Sequence, residues 1–280
     1  MTIGMALRGA YGALAPCDSA QLDAQVLLAH VLEVERVHLL ANGELELSAA
    51  QRLRFGNMIG RRAAGEPVAY IIGSKSFYDL ELKVSPRVLI PRPESELLLE
   101  EALRLSASAP GCLVADIGTG SGALAVAYAK HRPGNRVYAT DISEKALTVA
   151  RENAKRYGAS VEFLQGDLAQ PLLARGISVD LVMANLPYIA TEELAGLAVS
   201  KYEPAQALDG GDDGLACIRR ALGQLPLLCR EGAWVLLEIG ADQADRVCRL
   251  VAQALDAPCA VLQDYAGLDR IVRFQISADC

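Results

Sequence analysis

Two short stretches of this 280-residue chain hold residue types that could do chemistry. The first is Asp116-Ile117-Gly118-Thr119-Gly120-Ser121-Gly122. Its glycines allow a sharp turn and a close backbone approach to a ligand. It joins an apolar run expected as a strand, 112–117, to a helical pattern that begins near residue 122, and a helix start offers unpaired N–H groups. Asp141 ends the next strand pattern, about 20 residues on, where a carboxylate can accept from ribose hydroxyls. Asp167 ends the third, in Gln165-Gly166-Asp167-Leu168, placed to reach an adenine amino group with Leu168 beside the ring. Together these mark a nucleoside site; the bland alternative is a glycine-rich turn without a ligand. Gly118, Gly120 and Ala123 meet only the loose form of the dinucleotide pattern. Asp116, at the head of the loop, suits the ammonium end of S-adenosyl-L-methionine, directly or through water.

The second stretch is Asn185-Leu186-Pro187-Tyr188, which directly follows the apolar strand pattern 179–184 and so stands at the same carboxyl edge. An Asn oxygen and a nearby backbone carbonyl can each accept one N–H. Two such bonds aim an amide or amino nitrogen whose lone pair is delocalised into a π-system, and an aromatic ring can stack on its plane. With an activated methyl donor no strong base is needed before transfer, and positioning supplies much of the rate. A plain turn is the alternative, since Asn and Pro are common there.

The elements around these stretches have two grammars. Up to about residue 74 the apolar spacing is helical. One helix follows Asp18 or Ser19, with Leu22, Val26, Leu27, Ala29, His30, Val31 and Leu32 on its apolar stripe. Another runs from Ser48 to Ala64, with Asn57, Arg61 and Arg62 on its polar face, and ends at Gly65-Glu66-Pro67. Phe77 to Val84 alternates like a half-buried strand of a hairpin. Three prolines between residues 86 and 93 make a stiff connector. Beyond it strands and helices alternate: helix 93–107, strand 112–117, helix 122–131, strand 136–140, helix 144–157, strands 161–165 and 179–184. A helix over 213–229, strand 233–239, helix 242–255 and strands 259–264 and 270–276 complete the pattern. Alternation of this kind predicts a parallel sheet covered on both faces, with an antiparallel hairpin at one edge.

Composition narrows the function classes. The chain is 52% hydrophobic and 22% charged, which excludes a disordered polymer. Its net charge is -7. Up to residue 85 there are 8 basic and 9 acidic residues, and 19 and 25 beyond, so neither part has the basic excess of a non-specific nucleic-acid binder. Seven cysteines, Cys17, Cys112, Cys217, Cys229, Cys248, Cys259 and Cys280, are widely spaced without a C-x-x-C, so no disulfide framework or zinc site is expected. His30, His38 and His131 lack metal-like spacing. No signal peptide and no membrane-length apolar run is seen, so the expectation is a cytoplasmic protein with no metal.

Asn185-Leu186-Pro187-Tyr188 resembles the N-P-P-Y motif of amino- and amide-nitrogen methyltransferases. Further stretches resemble the release factor glutamine methyltransferase family (HemK/PrmC): Gly65-Glu66-Pro67 with Tyr70 and Gly73, the hairpin residues Phe77, Tyr78 and Leu80, and Leu89-Ile90-Pro91-Arg92-Pro93-Glu94. Tyr202-Glu203-Pro204-Ala205-Gln206-Ala207-Leu208 and Gly211-Asp212-Asp213-Gly214-Leu215 are similar to its late loop. The likeness spans about residues 18–276. It implies an α/β fold: a seven-stranded Rossmann-like class I methyltransferase sheet with a small N-terminal helical domain and a β-hairpin linker. It implies residues 1–74 as a release-factor-binding domain, 75–92 as hairpin and linker, and 93–280 as the methyltransferase domain. The implied reaction is N5-methylation of the glutamine in the Gly-Gly-Gln loop of class I peptide chain release factors, with S-adenosyl-L-homocysteine as co-product. By the same resemblance Gly118, Thr119, Gly120, Ser121, Gly122, Asp141, Leu168 and Asn185 hold the cofactor, joining Asp116 and Asp167. Asn185 and the carbonyl of Leu186 orient the glutamine amide, Pro187 and Tyr188 flank it, and Arg92 and Pro93 line its mouth. The implied partner is a protein, with no direct nucleic acid and no membrane, and the chain is expected as a monomer. Leu186 departs from the motif's first Pro, but the group needed there is a carbonyl, which Leu supplies. A glutamine methyltransferase for another translation protein, a DNA adenine-N6 methyltransferase and a non-catalytic binder of the cofactor are the competing readings. The DNA enzyme would need base flipping and a basic face.

Overall fold

A computed structural model describes residues 1–277, so Cys280 lies outside the described residues. The chain forms two compact units, one up to Ser74 and one from Lys75 on. The first is helical: α1 (Ile3–Ala13), α2 (Ala20–Leu32), α3 (Arg36–Ala41), α4 (Ala49–Ala63) and α5 (Val68–Ile72). Their core gathers Leu7, Leu14, Leu27, Leu28, Phe55 and Ile59. Ser48 and Gln51 close a reciprocal capping box at the start of α4. The apolar stripe of α2 lies elsewhere than the spacing suggested. Leu22 is exposed, and Ala24, Leu27, Leu28 and Val31 face the core. Asp23 is buried beside them because Arg62 of α4 reaches it at 2.7 Å, so Arg62 is not a free surface charge.

The second unit opens with a hairpin, β1 (Ser74–Phe77) and β2 (Leu80–Lys83). The single strand expected over 77–84 is broken because Phe77 and Leu80 are both buried, three residues apart, which the alternation of one strand does not permit. Tyr78 makes the turn in the left-handed region, at φ 54°. Next come α6 (Glu94–Leu105), β3 (Leu113–Ile117), α7 (Ala123–His131), β4 (Arg136–Asp141), α8 (Glu144–Tyr157) and β5 (Val161–Gln165). They are followed by α9 (Gln170–Leu173), β6 (Val179–Ala184), α10 (Thr191–Leu194), two 3-10 turns (Ala198–Lys201 and Ala205–Ala207), α11 (Ala216–Leu222) and α12 (Leu225–Leu228). The last elements are β7 (Cys229–Glu238), α13 (Ala244–Leu255), β8 (Ala260–Gln263) and β9 (Asp269–Gln275). The one helix expected over 213–229 is two, α11 and α12, because Pro226 has no N–H to continue the ladder and sits in the first turn of the second.

The strands form one seven-stranded sheet in the order β5-β4-β3-β6-β7-β9-β8. The first five in that order run parallel, and β9 is antiparallel to both neighbours. Along β6, Leu181 and Met183 enter the core on one face, while Val182 and Ala184 enter the other. Burial on both faces explains why these strands are near-continuous apolar runs. The order reverses between β3 and β6, the place where open α/β sheets bind ligands at the carboxyl ends.

Candidate active site

The glycine loop starts where β3 ends. The N–H groups of Gly118 and Thr119 both donate to the Thr140 carbonyl at 2.9 Å, folding the loop over the end of β4. Gly118 has φ 77°, and a Cβ there would lie 3.2 Å from a methyl of Leu186, so glycine is required on two counts. Asp141 receives the Gly120 N–H at 2.9 Å and the Ser143 N–H at 2.8 Å, one on each carboxylate oxygen. Each oxygen keeps a further lone pair for a ligand hydroxyl. Burial pushes its carboxyl upward against those two bonds.

Asp116 is buried in β3. Its Oδ2 accepts from the Thr119 hydroxyl at 2.6 Å and from the Ala125 N–H at 3.1 Å. Its Oδ1 is buried without a partner. Burial pushes this carboxyl up to about 7. An orphaned buried acceptor of this kind calls for a cationic or N–H-bearing group beside it.

Three cavities adjoin at this edge. The largest, about 360 Å³, is lined by Gly118, Gly120, Asp141, Ile142, Asp167, Leu168 and Asn185, among others. Its size lies within the range of small-ligand sites. Leu168 lines it from the left-handed region, at φ 51°, a conformation costly for a leucine and held by the packed loop. The Asp167 carboxylate is engaged by Arg220 of α11 through Oδ2, which leaves one oxygen for a ligand donor. A second cavity, about 70 Å³, is bounded by Leu89, Arg92, Asn185, Leu186, Pro187 and Tyr188. A third, about 50 Å³, lies among Phe77, Pro91, Arg92, Ser95, Asp116, Thr119 and Ser121. Asn185 lines all three.

Asn185 is adjacent to Glu238 by register, because Ala184 of β6 pairs with Leu237 of β7. Its Nδ2 donates to the Ser95 hydroxyl at 3.0 Å, and Ser95 in turn donates to Glu238 Oε2 at 2.5 Å. Leu186 is buried, and no described hydrogen bond uses its N–H. The carbonyl of Tyr188 accepts from Gln243 Nε2 at 2.8 Å. Gly214 passes so close that a Cβ there would sit 2.4 Å from that carbonyl. Burial, with Glu238 next in effect, pushes the Tyr188 phenol up to about 12, so it stays neutral and offers a ring rather than a base.

The late loop closes the second cavity. Arg92 donates to both oxygens of Glu203 at 2.8 Å, and the Glu203 side chain is buried. Burial drives that carboxyl upward, opposed chiefly by Arg92. The N–H of Ile189 donates to Leu208 and that of Gly210 to Ile189, tying the late loop to the chain after Tyr188.

The residues singled out in the sequence therefore converge, with two exceptions. Pro93 is exposed, opens α6 and lines none of the three cavities; Pro91 takes the place expected for it. Gly122 also lines none, serving as the N-cap of α7 where a Cβ would crowd Ala150. Ser95, Glu238, Gln243 and Arg220 were not anticipated. Glu238 carried the same signal as Asp116, an acid at the end of an apolar strand followed closely by glycine. Among the described residues, no group of three or more His, Cys, Asp or Glu side chains could hold a metal ion, and no helix is long and apolar enough to cross a membrane.

Comparison with known proteins agrees with this geometry. Residues 5–73 match the model of the PrmC N-terminal domain, and residues 114–200 match a methyltransferase domain. A release factor glutamine methyltransferase of Moorella thermoacetica is 46% identical over 277 residues, covering 96% of this chain and 97% of its own. That of Geobacter sulfurreducens is 38% identical over 257 residues, covering 91% and 89%. Among solved structures, the Thermus thermophilus 16S rRNA N2 G1207 methyltransferase shares the fold, with a TM-score of 0.55 at 17% identity over 72% of this chain and 49% of its own. The identity to these relatives over nearly the full length shows that the chain belongs to the release factor glutamine methyltransferase family.

Proposed function

We infer that this chain transfers a methyl group from S-adenosyl-L-methionine to the side-chain amide nitrogen of a glutamine in peptide chain release factors, within the Gly-Gly-Gln loop of the class I factors. The observation that carries the reading is the place of Asn185, on the wall shared by a cavity of about 360 Å³ and one of about 70 Å³. The larger fits the nucleoside end of the cofactor, with the glycine loop, Asp141 and Asp167 toward the nucleoside and Leu168 against the base, and the third cavity, of about 50 Å³, adjoins the unpartnered oxygen of Asp116 for the amino-acid end. When bound, S-adenosyl-L-methionine supplies an activated methyl group. The smaller cavity has room for one side-chain amide or a few waters.

In this reading Asn185 Oδ1 and the Leu186 carbonyl each accept one N–H of the target amide, which fixes its nitrogen and leaves the lone pair facing the larger cavity. Tyr188 flanks the amide plane, and Arg92, held by Glu203, lines the mouth. The half-buried, neutral phenol of Tyr188 supports positioning rather than proton abstraction. The helical unit, residues 1–74, serves to bind the release factor, and the net charge of -7 favours a protein over nucleic acid as the partner.

The test is mass spectrometry of a purified class I release factor after incubation with this protein and the cofactor. One added methyl on the Gly-Gly-Gln glutamine, lost with Asn185→Ala, is the expected result. Transfer to duplex DNA or to another translation protein, with none to the release factor, would discard the substrate and keep the fold.

A further inference from the structure

We propose that Glu238 and Ser95 form a relay that fixes which end of the Asn185 amide faces the reacting nitrogen, making both of them positioning residues for methyl transfer. The inference rests on the reading of Asn185 given above. The amide of an Asn has a donor end and an acceptor end of nearly equal shape, so packing alone does not choose between them. Only the acceptor end serves a substrate N–H. A flipped Asn185 would point its own N–H groups at the target amide's N–H groups, leave them unpaired and disorient the nitrogen.

The choice is made by hydrogen bonding. Ser95 has a single hydroxyl proton, and with Glu238 ionised it goes to Glu238 Oε2 at 2.5 Å, a short charge-assisted bond. The Ser95 oxygen can then only accept, and it accepts from Asn185 Nδ2 at 3.0 Å. With Nδ2 committed, Oδ1 is turned the other way, toward the cavities that Asn185 lines. Ser95 and Glu238 are both buried, 4% and 2% exposed, so water does not compete for these bonds. Neither side chain bounds the 70 Å³ cavity, and Glu238 bounds none of the three. They come from distant parts of the chain, the first turn of α6 and the last residue of β7, brought together by the packing of α6 on the sheet, while the register of β6 on β7 sets Asn185 beside Glu238.

The experiment compares steady-state methyl transfer to a purified release factor by the intact protein and by Ser95→Ala, Ser95→Thr and Glu238→Gln. Melting temperature and cofactor Kd are measured on each. Ser95→Ala is expected to lower kcat by about 10- to 100-fold, the effect of a small misplacement at a reacting centre, with the KM for the release factor held. Ser95→Thr, which keeps the hydroxyl, recovers most of the lost turnover. Glu238→Gln, equal in size but with a donor replacing one acceptor, lowers kcat in the same direction. An unchanged kcat in Ser95→Ala overturns the relay. So does a loss tracked by melting temperature and cofactor Kd, or a Ser95→Thr as slow as Ser95→Ala. If the parent protein itself methylates no release factor, it is the substrate reading that fails, and the relay is then assayed on whichever amide or amino substrate the protein does methylate.

Discussion

Leu186 separates two jobs that a proline would combine. Its carbonyl is the group the proposed chemistry uses, while its side chain is buried among the core residues on one face of the sheet, against Gly118. Leu186→Ala keeps the carbonyl and removes the packing, so it is expected to cost about 2–4 kcal/mol of stability in urea melts while leaving transfer measurable below the melting point. Leu186→Pro also keeps the carbonyl, and no described hydrogen bond depends on the N–H it removes. It is expected to methylate at a rate near that of the parent chain; loss of transfer in a folded Leu186→Pro would sink the carbonyl account. At this scale the sequence exposed the residues that line the cavities, because Asp116, Asp141, Asp167 and Asn185 each stand at or just beyond the end of a strand. It concealed those that act through another residue. Ser95 lies 90 positions from Asn185, and nothing in either local pattern announces the pairing that the packing of α6 on the sheet creates.

Among the elements, α8 has the widest structural reach through one side chain. Asn153 is fully buried. Its Oδ1 accepts from the Lys83 N–H at 2.7 Å, and its Nδ2 donates to the Lys83 carbonyl at 3.0 Å and the Ser121 carbonyl at 2.8 Å. One amide thus clamps β2 and the glycine loop to α8, and the Tyr157 hydroxyl adds bonds to both the N–H and the carbonyl of Glu81. The hairpin, expected as a linker, is thereby fastened to the methyltransferase unit. Asn153→Ala strands buried backbone groups of the hairpin and the loop. It is expected to cost about 2–4 kcal/mol and to weaken cofactor binding by roughly tenfold, read by urea melts and calorimetric titration. An unchanged cofactor Kd would mean that the loop is held without the clamp. The strands 161–165 and 179–184 and the helix 144–157 were legible to the residue, because their apolar periods are uninterrupted. The failures have local causes. Tyr78 turns the chain at positive φ without being glycine, and Pro226 splits α11 from α12.

For the molecule as a whole, concentrating carboxylates at one dry sheet edge sets how stability responds to pH. Burial holds the Asp116 and Glu238 carboxyls near 7, above ordinary values of 3.8 and 4.5. The unfolded chain releases both protons near pH 4, whereas the folded chain keeps them until about 7. Between those limits the native state binds more protons, so stability falls as pH rises through the window and levels off above it. Glu101 works in the opposite sense. Arg104, then Arg273, hold its carboxyl below the ordinary range, so its contribution is present above about pH 4.5 and is lost on further acidification. The two trends place the stability maximum of the ligand-free protein near pH 5, with a decline of a few kcal/mol, as an order of magnitude, toward pH 8. Trp234, the one tryptophan of the chain, lies on β7 four residues before Glu238 and reports unfolding of this unit by fluorescence. Urea melts at pH 5, 6, 7 and 8 should show the decline in the parent chain and a shallower one in Glu238→Gln, whose side chain carries no charge at any of these values. Equal slopes in the two proteins would show that Glu238 does not titrate in this window, and that the decline comes from Asp116 or from elsewhere in the fold.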